Sequence, residues 1–200
     1  MRTVITFLIL AASHQAAAQV NSFESTSHRN FPVILTLQFQ NLALPFKNIR
    51  GNFNNIGLGV GTEVSLNGKN NWTQQIHAVW YHNKYMGNGL SLFTQPAWRQ
   101  HFGAGIYGEL KLGIGYLYAY RPIKSFKQVE GNWVSVGYNG KGMLMIPAGL
   151  TLGYNKYSAT TYISPFASYQ FVLVKGYNKS IPVIPQTFIQ IGSRIHFNYK

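Results

Sequence analysis

The chain has 200 residues, with 17 Lys+Arg against 4 Asp+Glu, a formal net charge of +13 and only 10% charged residues. Soluble domains carry about 25%, so most of an ordinary water-facing surface is missing. Apolar types make up 46% and aromatics 15%, and Cys is absent; this excludes disorder, a disulfide framework, a thiolate metal site and a cysteine nucleophile.

Arg2 opens the chain, followed by the apolar run Val4–Ala12 and by Ala16-Ala17-Ala18. The run is too short for the ~20 helical residues that cross a bilayer. Positive start, short apolar core and small residues together predict an export signal over 1–18, cleaved after Ala18. A polar lead, 19–30, is expected to follow on the periplasmic side, then a single domain over 31–197 and a tail over 198–200.

No later stretch approaches 18 consecutive apolar residues, so transmembrane helices are not expected. Eight segments of period two take their place, over 31–41, 55–66, 72–82, 90–100, 103–119, 143–154, 159–173 and 186–197. Each is near the ~10 residues that cross a bilayer as a tilted strand. In the second, Ile56, Leu58, Val60, Val64 and Leu66 oppose Gly57, Gly59, Gly61, Glu63 and Ser65. The fifth sets Ile106, Leu110, Leu112, Ile114 and Tyr116 against Tyr107, Glu109, Lys111, Gly113 and Gly115. The last sets Ile189, Ile191, Ile195 and Phe197 against Gln190, Gly192, Arg194 and His196.

Connections alternate in length. Short ones at Asn67–Asn71, around His101 and at Asn155–Ser158 interleave with longer ones at Leu42–Asn54, Asn83–Gly89, Tyr120–Gly142 and Val174–Pro185. Such alternation, with an even strand count, predicts an all-β, eight-stranded antiparallel up-and-down transmembrane barrel with both termini on the short-turn, periplasmic side. Trp72, Trp80, Trp98, Tyr116, Tyr118, Tyr154, Tyr169 and Phe197 stand toward strand ends, as interfacial girdles require.

The strand charges Glu63, Arg99, Glu109, Lys111 and Arg194 all fall opposite the apolar stripe. Arg or Lys facing lipid near the midplane costs ~2–4 kcal/mol, so these five are predicted to form a lumenal ionic network. Glu63, Arg99 and Arg194 are expected toward the periplasmic half and Glu109 and Lys111 nearer mid-height. An eight-stranded barrel is just wide enough for its own side chains, so a closed polar lumen is expected. A narrow gated channel is the alternative.

These features resemble the small eight-stranded outer-membrane β-barrels, the group of the OmpA transmembrane domain, OmpX and PagL. The resemblance implies insertion by the barrel-assembly machinery, with Phe197 near the C-terminus as the aromatic signal. Asn198-Tyr199-Lys200 after it depart from that pattern. The sequence Tyr81–Tyr85 (YHNKY) is also similar to one found in other short barrel proteins. A PagL-like lipid A deacylase would carry His and Ser two apart on the seventh strand and Glu on the eighth. Residues 159–173 contain no His and 186–197 no acid. His82 and Ser91 are the remaining pair to consider for such chemistry, without a carboxylate to orient the His.

No catalytic residue, metal site or cofactor is predicted, since the His residues are scattered without ligand spacing. His77 and His196 read as satisfied lumen groups. The basic excess lies mainly in the longer connections. Nucleic acid is not an expected partner of an exported barrel. Lys47, Arg50, Lys124 and Lys127 are instead candidates for the phosphates of lipopolysaccharide. Val129–Tyr138 alternates again, predicting a protruding hairpin with a turn at Glu130-Gly131-Asn132. Phe126, Trp133 and Tyr138 are its candidate contacts for a larger outer-membrane complex. The function expected is that of a non-enzymatic structural or interaction component.

Overall fold

The computed structural model describes residues 31–47, 51, 53, 55–83, 87–120, 125–137, 140–155, 161–177 and 182–197, with only the backbone of 125–129 and 136–137. The leader 1–18, the lead 19–30 and the tail 198–200 lie outside the described residues, as do Arg50, Lys124 and Tyr138.

In chain order the strands are β1 (Val33–Asn41), β2 (Ile56–Ser65), β3 (Trp72–Asn83), β4 (Gly87–Gly103), β5 (Ile106–Leu112), β6 (Ile114–Tyr120), β7 (Ser125–Val129), β8 (Asn132–Gly137), β9 (Gly140–Tyr154), β10 (Thr161–Lys175) and β11 (Val183–Phe197). β5 and β6 are one stave. Both pair with β4 on one side and β9 on the other, with the register continuous across the gap between them. The gap at Gly113 falls where those flanking strands carry Pro96 and Pro147. Proline has no N–H to give to a ladder; Gly113 N–H instead donates to the Pro147 carbonyl at 2.7 Å.

β1 pairs with both β2 and β11, so the eight staves close into a ring, each antiparallel to its neighbours. Closure leaves no edge in the barrel, which is what a lipid environment demands of a sheet. Among the described residues no helix is long and apolar enough to cross a membrane.

Period two sorts the side chains as expected. Leu58, Leu92, Leu112, Leu150, Leu152 and Ile191 point outward and are more than half exposed, while Glu63, Gln95, Glu109 and Arg194 point inward and are buried. A soluble sandwich would reverse this. On β3 the outward Trp72 and Trp80 stand eight residues apart. At ~3.3 Å per residue and a ~40° tilt, the apolar belt between them is roughly 20 Å tall. Trp72 is paired with Trp98 across the ladder, and Tyr116 and Tyr118 are exposed near the opposite end.

Two turns differ from the sequence reading. The step placed around His101 lies at Ala104-Gly105, both with positive φ (50° and 82°). The hairpin turn is Glu130-Gly131, again both positive (49° and 83°), with Val129 paired to Asn132. Positive φ at both central residues is the type I′ pattern, whose twist matches that of the strands. Asn132 therefore belongs to β8 rather than to the turn.

The described start of the first long connection, residues 42–47, does not rise from the rim. Phe46 stacks on Tyr169 at 5.0 Å between centroids and 11° between planes, and its backbone N–H donates to the Tyr169 hydroxyl at 2.9 Å. Tyr169 is an outward position of β10, and β11 stands between β1 and β10. Residues 42–46 therefore cross the outside of β11, where the outward Thr187 is buried. Phe53, from the same connection, packs on the outward Phe39 at 5.0 Å. The apolar sequence Leu42-Ala43-Leu44-Pro45-Phe46 is laid against the outer wall, with Lys47 at its end.

Candidate functional site

The five lumenal charges meet near the short-turn end. Arg99 and Glu109 are register partners on β4 and β5. Arg99 donates from Nε to Glu109 Oε1 at 2.7 Å and from Nη2 to both oxygens of Glu63 at 2.8 Å. Arg194, from β11, reaches the same two acids: Nε to Glu63 Oε2 at 3.0 Å, and Nη2 to Glu109 Oε2 at 2.8 Å and Oε1 at 2.9 Å. Its Nη1 also donates to the Tyr107 hydroxyl. Each carboxylate therefore bridges two guanidiniums, the forked geometry that Arg supplies and Lys does not. Glu109 lies level with Glu63, not nearer mid-height as the sequence suggested, because the β4–β5 turn starts lower than His101.

Lys111 is less well served. It is buried, and its Nζ is 3.9 Å from Glu109 Oε2. Three cations thus share two carboxylates. Lys111 Nζ also lies 5.9 Å from the Phe166 ring centroid. The Arg194 guanidinium sits 4.5 Å from the Phe166 ring and 5.4 Å from that of Tyr107, and Arg99 sits 5.1 Å from Tyr107. These rings offer cation–π contact in place of water. Tyr107 and Phe166 were not singled out by the sequence. Their signal was parity alone, an aromatic placed among polar or glycine positions of the inward face.

Small residues make the crossing possible. A Cβ on Gly192, two residues from Arg194, would stand 2.8 Å from both Phe166 Cζ and Thr36 Cγ2. Amides tie the network to the wall: Gln75 Nε2 donates to Glu63 Oε2 at 3.1 Å and Gln95 Nε2 to Gln75 Oε1 at 3.1 Å; a separate amide pair, Gln190 Nε2 to Gln38 Oε1 at 2.9 Å, joins β11 to β1. His77 Nε2 is 3.3 Å from Gln75 Oε1, and His196 stacks on Tyr162 at 4.3 Å.

The other half of the lumen is uncharged and largely apolar, with buried amides such as Gln40, Asn83 and Gln186 toward its mouth. Val79, Tyr81, Phe93, Leu117, Met143, Met145, Val172, Val174 and Phe188 form one buried cluster. The expected polar lumen is ionic only in its short-turn half, and the apolar cluster in the other half was not expected. Runs apolar on both faces, Met143–Ile146 and Phe171–Val174, carried the signal. Above this cluster a cavity of about 280 Å³ lies at the long-loop mouth.

His82 and Ser91 do not combine. His82 faces outward and its Nδ1 is 2.6 Å from Asn88 Oδ1. Ser91 faces the lumen, and its hydroxyl donates to the Val79 carbonyl at 3.3 Å. Opposite faces of a sheet exclude proton transfer between them. Among the described residues no cluster of three His, Cys, Asp or Glu is placed to hold a metal.

Among the described residues β7 and β8 pair only with each other. Trp133 is 70% exposed, and Phe126 and Lys127 lie on β7. Lys47 ends the strap on the outer wall.

The architecture is shared with solved barrels. Neisserial surface protein A (NspA) matches with a TM-score of 0.56 at 8% identity, over 84% of this chain and 97% of that one. Ail, the attachment invasion locus protein of Yersinia pestis, matches with a TM-score of 0.50 at 13% identity, over 84% of this chain and 99% of that one. No family model matches the sequence, and no curated protein does. At these identities the likeness is one of fold: this chain is built as a small eight-stranded outer-membrane barrel.

Proposed function

We propose that the protein is a non-enzymatic interaction component of a bacterial outer membrane, exported by the leader 1–18 and inserted by the barrel-assembly machinery with both termini in the periplasm. The observation that supports this reading is a barrel crossed by a buried ionic layer and bearing a hairpin that, among the described residues, pairs with no other strand. The ionic layer fills the short-turn half of the lumen, so the molecule offers its surface rather than a conduit. The β7–β8 sheet presents free strand edges beside an exposed Trp133, a combination suited to accepting a strand from a larger outer-membrane complex. Lys47 ends an apolar strap on the lipid-facing wall, where a lipopolysaccharide phosphate would meet it. Arg50, Lys124 and Lys127 are the other cations proposed for that contact, and Phe126 and Tyr138 are proposed to join Trp133.

The test is purification of tagged protein from native outer membrane in mild detergent, in parallel with a variant whose residues 125–137 are replaced by a short Gly-Ser turn. The proposal expects one stoichiometric protein partner that is lost with the hairpin. A monomer carrying lipopolysaccharide alone, with that lipid reduced in Lys47→Glu, would replace the partner with the lipid contact. An altered lipid A mass on gene deletion, restored by wild type and not by His82→Ala, would make the protein an enzyme and refute the reading.

A further inference from the structure

β3 turns Trp72, Gln74, Ile76, Ala78 and Trp80 outward. Gln74 therefore stands between the tryptophans that bound the apolar belt, two residues inside Trp72 and roughly 5 Å deeper along the barrel axis. A long polar side chain at that position reaches water by leaning back past Trp72. Gln74 leans the other way. Its Nε2 donates to Thr94 Oγ1 at 2.5 Å, and Thr94 is the register partner of Ile76, a further two residues into the belt. The single hydroxyl proton of Thr94 is donated to the Gln75 carbonyl at 3.0 Å, so Thr94 can only accept from Gln74. The Gln74 amide keeps one N–H and its Oε1, and among the described residues neither has a partner. The side chain is only half-buried on the outer surface, so both groups are open to a neighbour. Lipid tails offer neither a donor nor an acceptor.

We propose that this stretch of wall is the contact between two copies of the chain, closed by a reciprocal pair of Gln74 amides. The groups left on Gln74 are one donor and one acceptor, the set that an identical amide complements. Copies inserted the same way up are related by a twofold axis along the membrane normal, which brings the same residue of each to the same depth. Gln74 then donates to Oε1 of Gln74 of the partner subunit and accepts from it in return. The surroundings allow close approach: the outward Thr62, Ala78 and Thr94 around it are small, and none of these positions is charged. Small residues and polar side chains hold membrane-embedded surfaces together where the hydrophobic effect gives no drive. This face is separate from the hairpin, and the contact does not depend on the hairpin having a partner.

The chain has no Cys, so single cysteines report the contact directly. Full-length mature protein is reconstituted in liposomes at a series of protein-to-lipid ratios. Ile76→Cys should form a disulfide-linked dimer under mild oxidation, and Ala167→Cys, exposed on β10 at the far side of the ring, should not. Energy transfer between copies labelled at a cysteine appended after Lys200 should rise with the protein-to-lipid ratio and fall when unlabelled protein is added. Gln74→Leu should weaken dimerisation about fivefold, the scale of a polar contact between membrane-embedded surfaces, while the heat-dependent migration of the folded barrel persists. Wild-type protein that stays monomeric at every ratio, Ala167→Cys coupling as readily as Ile76→Cys, or Gln74→Leu dimerising like the wild type each overturns the proposal. A benzophenone attached at Ile76→Cys in native outer membrane that links to another protein, and not to a second copy, overturns it as well.

Discussion

The two halves of the lumen solve the same packing problem with opposite chemistry. In the short-turn half, Glu63, Arg99, Glu109 and Arg194 are joined by forked ion pairs at 2.6–3.0 Å. In the long-loop half, Val79, Phe93, Leu117, Met143, Val172 and Phe188 fill the space without a charge. Ion pairs need fixed geometry, because two desolvated charges repay their burial only when every fork is met. Apolar contacts are non-directional and tolerate a gap, and the gap is where the mouth cavity lies. The ionic half is therefore a lock, exacting in its geometry, and the apolar half is tolerant. Loss of one charge should damage the first far more than loss of one methyl group damages the second.

The largest effect should come from Glu109, which faces all three cations of the network. Glu109→Gln leaves buried guanidinium charge uncompensated and is expected to cost about 3–5 kcal/mol. Urea titration of the refolded barrel in liposomes measures this. In the other half, Met143→Ala removes part of a floor that already borders a cavity, and about 2 kcal/mol is expected, the low end for such truncations. If the second loss equals the first, the two halves are not distinct in kind.

Lys111 sharpens the comparison, because its sign should differ. It is the third cation against two carboxylates and its nearest acid oxygen is 3.9 Å away. Replacing it by Met, of similar length, removes a poorly paired buried charge. The same titration should show unchanged stability or a gain of about 1 kcal/mol. A loss above 2 kcal/mol would mean that Lys111 belongs to the lock as fully as the arginines. The smallest effect is expected at the hairpin: replacing 125–137 by a short turn touches neither half, and barrel stability should stay within about 0.5 kcal/mol.

Much of this architecture could be read from residue order, since one rule governs it. A barrel wall puts alternate residues in two different solvents, so Leu58 and Val60 against Gly59 and Gly61 reveal both strand and face. The same parity placed all five strand charges in the lumen. It failed where both faces are apolar. Within Met143-Leu144-Met145-Ile146, period two does not say which members face lipid, and the apolar half of the lumen stayed hidden. Tyr107 and Phe166 were missed because an aromatic beside an arginine is a fact of three dimensions. Pro96 and Pro147 interrupt a stave from neighbouring strands, which no reading of residues 106–120 alone reveals. The strap had a different obstacle: Leu42–Phe46 reads as a loop, and its path over β11 depends on finding Tyr169 more than a hundred residues away.

Whether the ionic layer seals the barrel is read most directly by single-channel recording in planar bilayers. Wild-type protein should give no discrete conductance steps. Steps in the wild type, with an amplitude changed by Arg99→Ala, would show that ions pass through the layer and that the lock is a gate.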